Sequence, residues 1–97
     1  MDLTTETFEE FVKSNKRCVI DFWAPWCGPC RMLAPNLEKA SKEANVPLGK
    51  VDIDESKELA VRFGVMSIPC VIKFEDGKEK DRFIGNVSSE KIASFLE

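Results

Sequence analysis

Along most of the chain the apolar residues recur with one of two periods, and the switches between them mark out alternating helices and strands. Phe8, Phe11 and Val12 stand at i, i+3 and i+4, and Thr7 with Glu10 three residues on reads as a capping box, so a short helix is predicted over 7–15. From 18 to 23 the residues are mostly β-branched and aromatic. Both alternating sets, Cys18, Ile20, Phe22 and Val19, Asp21, Trp23, are largely apolar, which predicts a strand covered on both faces. Beyond Pro25, the apolar positions Cys30, Leu33, Leu37, Ala40 and Ala44 step by three and four and place a helix over 28–44. Pro35 falls inside it, where it removes a backbone donor, and a kink is expected.

A second strand is predicted over 48–53, followed by a short helix that Ser56 caps, that carries Leu59, Ala60 and Phe63, and that Gly64 ends. Strands over 70–74 and 80–84 flank Glu75-Asp76-Gly77-Lys78, whose Asp-Gly pair signals a tight hairpin and antiparallel neighbours. Ser88 or Ser89 opens a last helix with Ile92, Phe95 and Leu96 on one face. No repeat or linker interrupts this order. A right-handed parallel crossover joined to an antiparallel hairpin gives an α/β fold, a mixed central sheet with helices on both faces.

Composition narrows the class. A chain of 97 residues is the length of one domain, taken as 1–97, and at that size folding buries about 60% of the unfolded surface, enough for a core without disulfide or metal staples. With 43% hydrophobic and 32% charged residues, disorder is excluded. The formal charge of −3 comes from interleaved acids and bases with no basic stripe, so no nucleic-acid partner is expected. The longest apolar stretch, 18–26, is interrupted by Asp21 and falls well short of the ~20 residues that span a bilayer. No membrane partner is expected either. Residues 1–10 are acidic and polar, unlike a secretory leader, and a cytoplasmic location is the expectation.

Of four cysteines, only Cys27 and Cys30 are close in sequence, while Cys18 and Cys70 stand alone and the chain has no histidine. A zinc site would have to use all four at irregular spacing, a poor match to metal-ligand patterns. Trp26-Cys27-Gly28-Pro29-Cys30 lies where the first covered strand passes into the long helix. A cysteine just ahead of a helix meets unpaired backbone N–H groups and the positive end of the helix dipole, both of which stabilise a thiolate. Cys27 is therefore expected to be the exposed nucleophile and Cys30, one turn further in, the shielded partner. Gly28 leaves room beside the nucleophile, and Pro29 tolerates a missing donor at a helix start. The competing reading is two small hydrophobes packed in the core. Asp21 is the second anomaly. Burial among apolar neighbours disfavours the charged carboxylate and favours a proton acceptor beneath the cysteines over an edge position facing water.

The run from Asp21 to Cys30, DFWAPWCGPC, resembles the active-site signature of the thioredoxin family, and the resemblance extends along nearly the whole chain. Met32-Leu33-Ala34-Pro35 is similar to the family's kinked-helix segment and Lys50-Val51-Asp52-Ile53-Asp54 to its next strand. Gly64-Val65-Met66-Ser67-Ile68-Pro69 is similar to the loop that holds its cis-proline, and Phe83-Ile84-Gly85 to the glycine segment beside its binding surface. The resemblance implies the thioredoxin fold with a four-stranded mixed sheet, the family's first edge strand being reduced to a few residues around Leu3 or missing. It also implies a protein-disulfide oxidoreductase that carries electrons from a thioredoxin reductase to target proteins, with no cofactor beyond a redox-active Cys27–Cys30 disulfide, and working as a monomer. Within that resemblance Cys27 attacks the substrate disulfide and Cys30 resolves the mixed disulfide. Asp21 takes the proton of Cys30, with Lys50 as a charged neighbour. Ile68 ahead of Pro69 offers its backbone to an extended substrate, and Trp26, Gly28, Pro29 and Gly85 shape the docking surface. A disulfide-forming or isomerising relative, and a structural subunit gripping partners around Trp26 and Ile68, are the alternatives. Cys70 stands where the family usually has threonine. Like Cys18 it is expected to be a shielded, passive thiol, the alternative being a third redox-active sulfur.

Overall fold

A computed structural model describes residues 1–97 and shows a five-stranded sheet with helices on both faces. The elements are β1 (Asp2–Leu3), α1 (Thr5–Ser14), β2 (Arg17–Trp23), α2 (Gly28–Ala44), β3 (Leu48–Asp52), α3 (Lys57–Arg62), β4 (Cys70–Glu75), β5 (Lys78–Ile84) and α4 (Ser89–Leu96). The spatial order is β1-β3-β2-β4-β5, with β1 and β2 parallel to β3 and the pairs β2·β4 and β4·β5 antiparallel. The expected parallel crossover and antiparallel hairpin thus meet at β2, the central strand.

The first edge strand is present in the reduced form expected around Leu3 and makes the fifth strand of the sheet. Only Asp2 and Leu3 pair with Lys50 and Val51, but Leu3 is buried, and the amide of Lys50 donates to the carbonyl of Met1 at 2.7 Å. Gly49 makes room for this. A Cβ there would sit 2.5 Å from Leu3 Cδ1 and 3.0 Å from Phe11 Cε2, so a bare backbone lets the N-terminal strand close against β3.

Helix α1 starts earlier than its pattern predicts. Thr4 is the N-cap, and Thr7, which the pattern makes the cap, is instead the N3 residue whose hydroxyl accepts from the Thr4 amide at 2.9 Å. The box pairs two threonines instead of Thr7 and Glu10. Ser56 occupies the N-cap of α3 without a side-chain cap bond. Ser88 caps α4 as expected, accepting from the Lys91 amide at 3.2 Å. Helix α2 spans the predicted 28–44 and continues through Pro35 as one element. The hairpin turn is the two residues Asp76 and Gly77, with φ of 53° and 80°, the left-handed geometry that twisted antiparallel strands require. Both strands therefore reach closer to the turn than predicted. Pairing of Phe74 with Glu79 but Lys73 with Asp81 leaves Lys80 as a bulge.

Alternation along β2 divides the core. Cys18, Ile20 and Phe22 join Ile72, Phe74, Phe8 and Leu59 on the α1/α3 face, where the rings of Phe8, Phe63 and Phe74 meet at centroid distances of 5.3 to 5.8 Å. Val19 joins Leu33, Leu37, Val71, Phe83, Ile92 and Phe95 on the α2/α4 face. Asp21 and Trp23, in step with Val19, therefore point to the side that α2 covers. That places an acid on the face of the sheet covered by the helix that begins with the cysteine pair.

Candidate active site

The chain leaves β2 at Trp23, turns through Ala24 to Trp26, and enters α2 with Cys27 as its N-cap. The Cys27 Sγ accepts a hydrogen bond from the Cys30 amide at 3.2 Å, satisfying one of the helix's free N–H groups, and Pro29 in the first turn forgoes one without loss. One turn of helix brings the two Cα atoms to 5.3 Å, and the sulfurs form a disulfide. Accessibility differs from the expectation. Cys27 is only 5% exposed against 2% for Cys30, because Ala24, Trp23, Ile53 and Ile68 pack around the pair. What distinguishes the sulfurs is position, one ahead of the helix and one inside its first turn.

Asp21 is 1% exposed, and its Oδ1 has no hydrogen-bond partner. Burial pushes its carboxyl up from 3.8 to about 6, Lys50 works against that rise and Glu38 adds to it. Lys50 is the β3 residue in register with Asp21. Its ammonium lies 3.9 Å from Glu38 Oε2 on α2 and 4.8 Å from the centre of the Trp23 ring. Lys50 is thus a half-buried charge on the strand beside the acid, held between Glu38 and the Trp23 ring. Glu38 escapes a reading from sequence because its link to Asp21 exists only once α2 lies over the sheet.

The exposed side of the site is apolar. Trp26 is 65% exposed, yet its indole N–H donates to Asp54 Oδ2 at 2.9 Å, so the ring is held in place. Gly28 and Pro29 lie beside it, and a Cβ added at Gly28 would meet nothing within 4 Å. The Ile68-Pro69 peptide is cis, as the resemblance implies. Pro69 is buried, and its carbonyl accepts from the Gly85 amide at 2.8 Å, fastening this loop to the end of β5. Ile68 is half-buried against the cysteines, and its own backbone N–H and C=O bond to nothing in the chain. Met66 and Ile84 add two further exposed apolar side chains on the flanking segments. Neither Met66 nor Asp54 stands out in the sequence; an apolar residue two before Ile-Pro is the only available signal for the first.

Cys18 and Cys70 are free and fully buried, and burial pushes both thiols up, that of Cys18 to about 11. They share one face of the sheet, but Cys18 pairs with Phe74 and Cys70 with Phe22, at opposite ends of the β2·β4 ladder. Four residues of strand put about 13 Å between them. No group of three or more potential ligands comes together anywhere, and the four-cysteine zinc arrangement is absent.

Comparison with known proteins agrees with this geometry. The thioredoxin family model matches residues 1–97. Thioredoxin from Rickettsia bellii is 45% identical over 98% of this chain and 93% of its own, and thioredoxin from Alicyclobacillus acidocaldarius is 41% identical over 99% and 93%. Among solved structures, mitochondrial thioredoxin 3 from Saccharomyces cerevisiae superposes with a TM-score of 0.90 at 33% identity, covering 99% of this chain and 92% of that one. Thioredoxin from Plasmodium falciparum superposes with a TM-score of 0.91 at 28% identity, covering 98% and 94%. A sulfur pair closed across the first turn of α2, on a sheet of this order and in a sequence this similar, leaves one assignment: the chain belongs to the thioredoxin family and is an oxidoreductase working by dithiol–disulfide exchange through Cys27 and Cys30.

Proposed function

We propose that the chain reduces disulfides of other proteins in the cytoplasm and is returned to its dithiol form by a separate thioredoxin reductase. The Cys27 thiolate attacks one sulfur of the target disulfide, forming a mixed disulfide and releasing the other target sulfur as a thiolate that takes up a proton. Cys30 then gives its proton to Asp21 and attacks the Cys27 sulfur, releasing the second target sulfur. The target gains two electrons, and the Cys27–Cys30 pair closes to its disulfide. Asp21 is suited to the proton step because a carboxyl near 6 accepts at neutral pH and is buried on the α2 side. Lys50 steadies the resulting charge balance from the adjoining strand.

The observation that carries the reading is the unbonded backbone of Ile68 beside the cysteines. An extended segment flanking a target cysteine supplies the missing partners by strand addition and meets Trp26, Gly28, Pro29, cis-Pro69 and Gly85 on either side. Reductive flow suits a compartment in which thiols are kept reduced. With dithiothreitol as electron source, catalytic amounts of the protein are expected to reduce a polypeptide disulfide many times faster than dithiothreitol alone. A rate no higher than that of dithiothreitol would overturn the reading.

A further inference from the structure

The loop 64–69 that carries Ile68 hangs between two anchors, and both belong to β5 or its end. At the far end of the loop the Gly85 amide holds the Pro69 carbonyl at 2.8 Å. At its start Arg82 Nη2 donates to the carbonyl of Phe63 at 2.8 Å, a contact between residues 19 apart in sequence. Arg82 is itself held in a fork, its Nε donating to Glu79 Oε2 at 2.7 Å and its Nη2 to Glu79 Oε1 at 2.9 Å. Met66, Ser67 and Ile68, between the anchors, make no backbone hydrogen bond at all. The Phe63 ring is fixed in the aromatic cluster with Phe8 and Phe74, which settles where Phe63 sits. The orientation of the peptide plane that leads from Phe63 into Gly64 is a separate matter. A carbonyl accepting from a guanidinium pinned by a carboxylate has one favoured direction.

We propose that Arg82, oriented by Glu79, is a positioning residue that sets the frame of the substrate loop relative to Cys27. The proposal rests on the reading that this loop receives the target polypeptide. Arg82 touches neither substrate nor the Cys27–Cys30 pair in that scheme; it acts through the Phe63 peptide, and Gly85 closes the frame from the other side. The Glu79 and Arg82 pair, which on an exposed edge strand reads as ordinary surface charge, thereby acquires a part in recognising extended partners. The same guanidinium opposes the rise that burial gives the thiol of Cys70, the residue after cis-Pro69.

Arg82→Ala, Arg82→Lys and Glu79→Ala test this with two readouts. The first is amide exchange in the oxidised protein. Protection of the Val65 and Gly85 amides, which bond to Ala60 and Pro69, is expected to fall about tenfold in Arg82→Ala, the scale of one lost charge-assisted hydrogen bond, while β2 and β4 amides keep theirs. The second is the ratio of kcat/KM for a polypeptide disulfide to that for hydroxyethyl disulfide, which is too small to use the loop. That ratio is expected to drop about tenfold, mostly through KM, with partial return in Arg82→Lys and an intermediate loss in Glu79→Ala. Unchanged protection at Val65 and Gly85, or an unchanged ratio, overturns the proposal, as does equal loss across the whole sheet. If the wild type reduces no polypeptide disulfide, the functional reading falls together with the recognition role, while amide exchange still decides whether Arg82 holds the loop.

Discussion

Replacing Cys30 by serine is expected to leave a protein that attacks target disulfides once and then stays covalently bound to them. Cys27 keeps its place as N-cap of α2, where free helix N–H groups and the dipole favour its thiolate, so the first exchange proceeds. Release requires a second sulfur one turn away, and a serine hydroxyl does not displace a thiolate under these conditions. Adducts sensitive to dithiothreitol should accumulate when the variant is mixed with a disulfide-containing polypeptide, and turnover should vanish. Cys27→Ser should form none and turn over nothing, because Cys30 sits inside the first turn of α2 and lacks the place ahead of the helix that favours a thiolate at Cys27. Adducts on Cys27→Ser instead of Cys30→Ser would exchange the roles of the two sulfurs.

Asp21→Asn is expected to change stability and chemistry together, each with a pH signature. Its carboxyl is raised from 3.8 to about 6 in the folded chain, so between those values the folded state holds a proton that the unfolded state has released. Stability associated with this group is full below about pH 4 and is lost as pH rises through about 6. At about 1.4 kcal/mol for each pH unit between the two values, the loss amounts to about 3 kcal/mol above pH 7. The asparagine variant does not titrate. Its unfolding free energy should exceed that of the wild type by about this amount at pH 8, the difference closing towards pH 4 in denaturant titrations of the oxidised protein. In single turnovers the same variant should slow resolution of the mixed disulfide by about a hundredfold near neutral pH, as expected for loss of a general base, while the first attack is largely spared. A stability gain without a kinetic change would leave Asp21 a buried acid with no part in the exchange.

The coupling between stability and function at Asp21 is visible in the chain itself, because an acid inside Cys18-Val19-Ile20-Asp21-Phe22-Trp23 breaks an otherwise apolar strand. The same kind of local signal marks α2, whose periodicity runs from 28 to 44, and the hairpin at Asp76-Gly77. Features that depend on elements meeting in space leave no such trace. β1 consists of two residues and owes its place to the space above Gly49, a packing fact that strand propensity cannot register. The start of α1 falls at Thr4 because the Thr7 hydroxyl accepts from the Thr4 amide one turn back, where Glu10 is the partner that the pattern offers Thr7. Glu38 with Lys50, Trp26 with Asp54 and Arg82 with Phe63 join residues 12 to 28 positions apart, from separate segments of the chain. A place ahead of a helix predicts an exposed Cys27. Ile53 and Ile68 arrive from other segments and cover it.

Whether electrons leave this protein for target disulfides is decided by the reduction potential of the Cys27–Cys30 pair. Equilibration with defined ratios of reduced and oxidised dithiothreitol, read by thiol tagging and mass, gives that potential with Cys18 and Cys70 as protected internal controls. A value of about −270 mV, that of a reducing thioredoxin, is expected, low enough to drive reduction of accessible protein disulfides. A value above about −200 mV, in the range of disulfide-forming and isomerising catalysts, would contradict it.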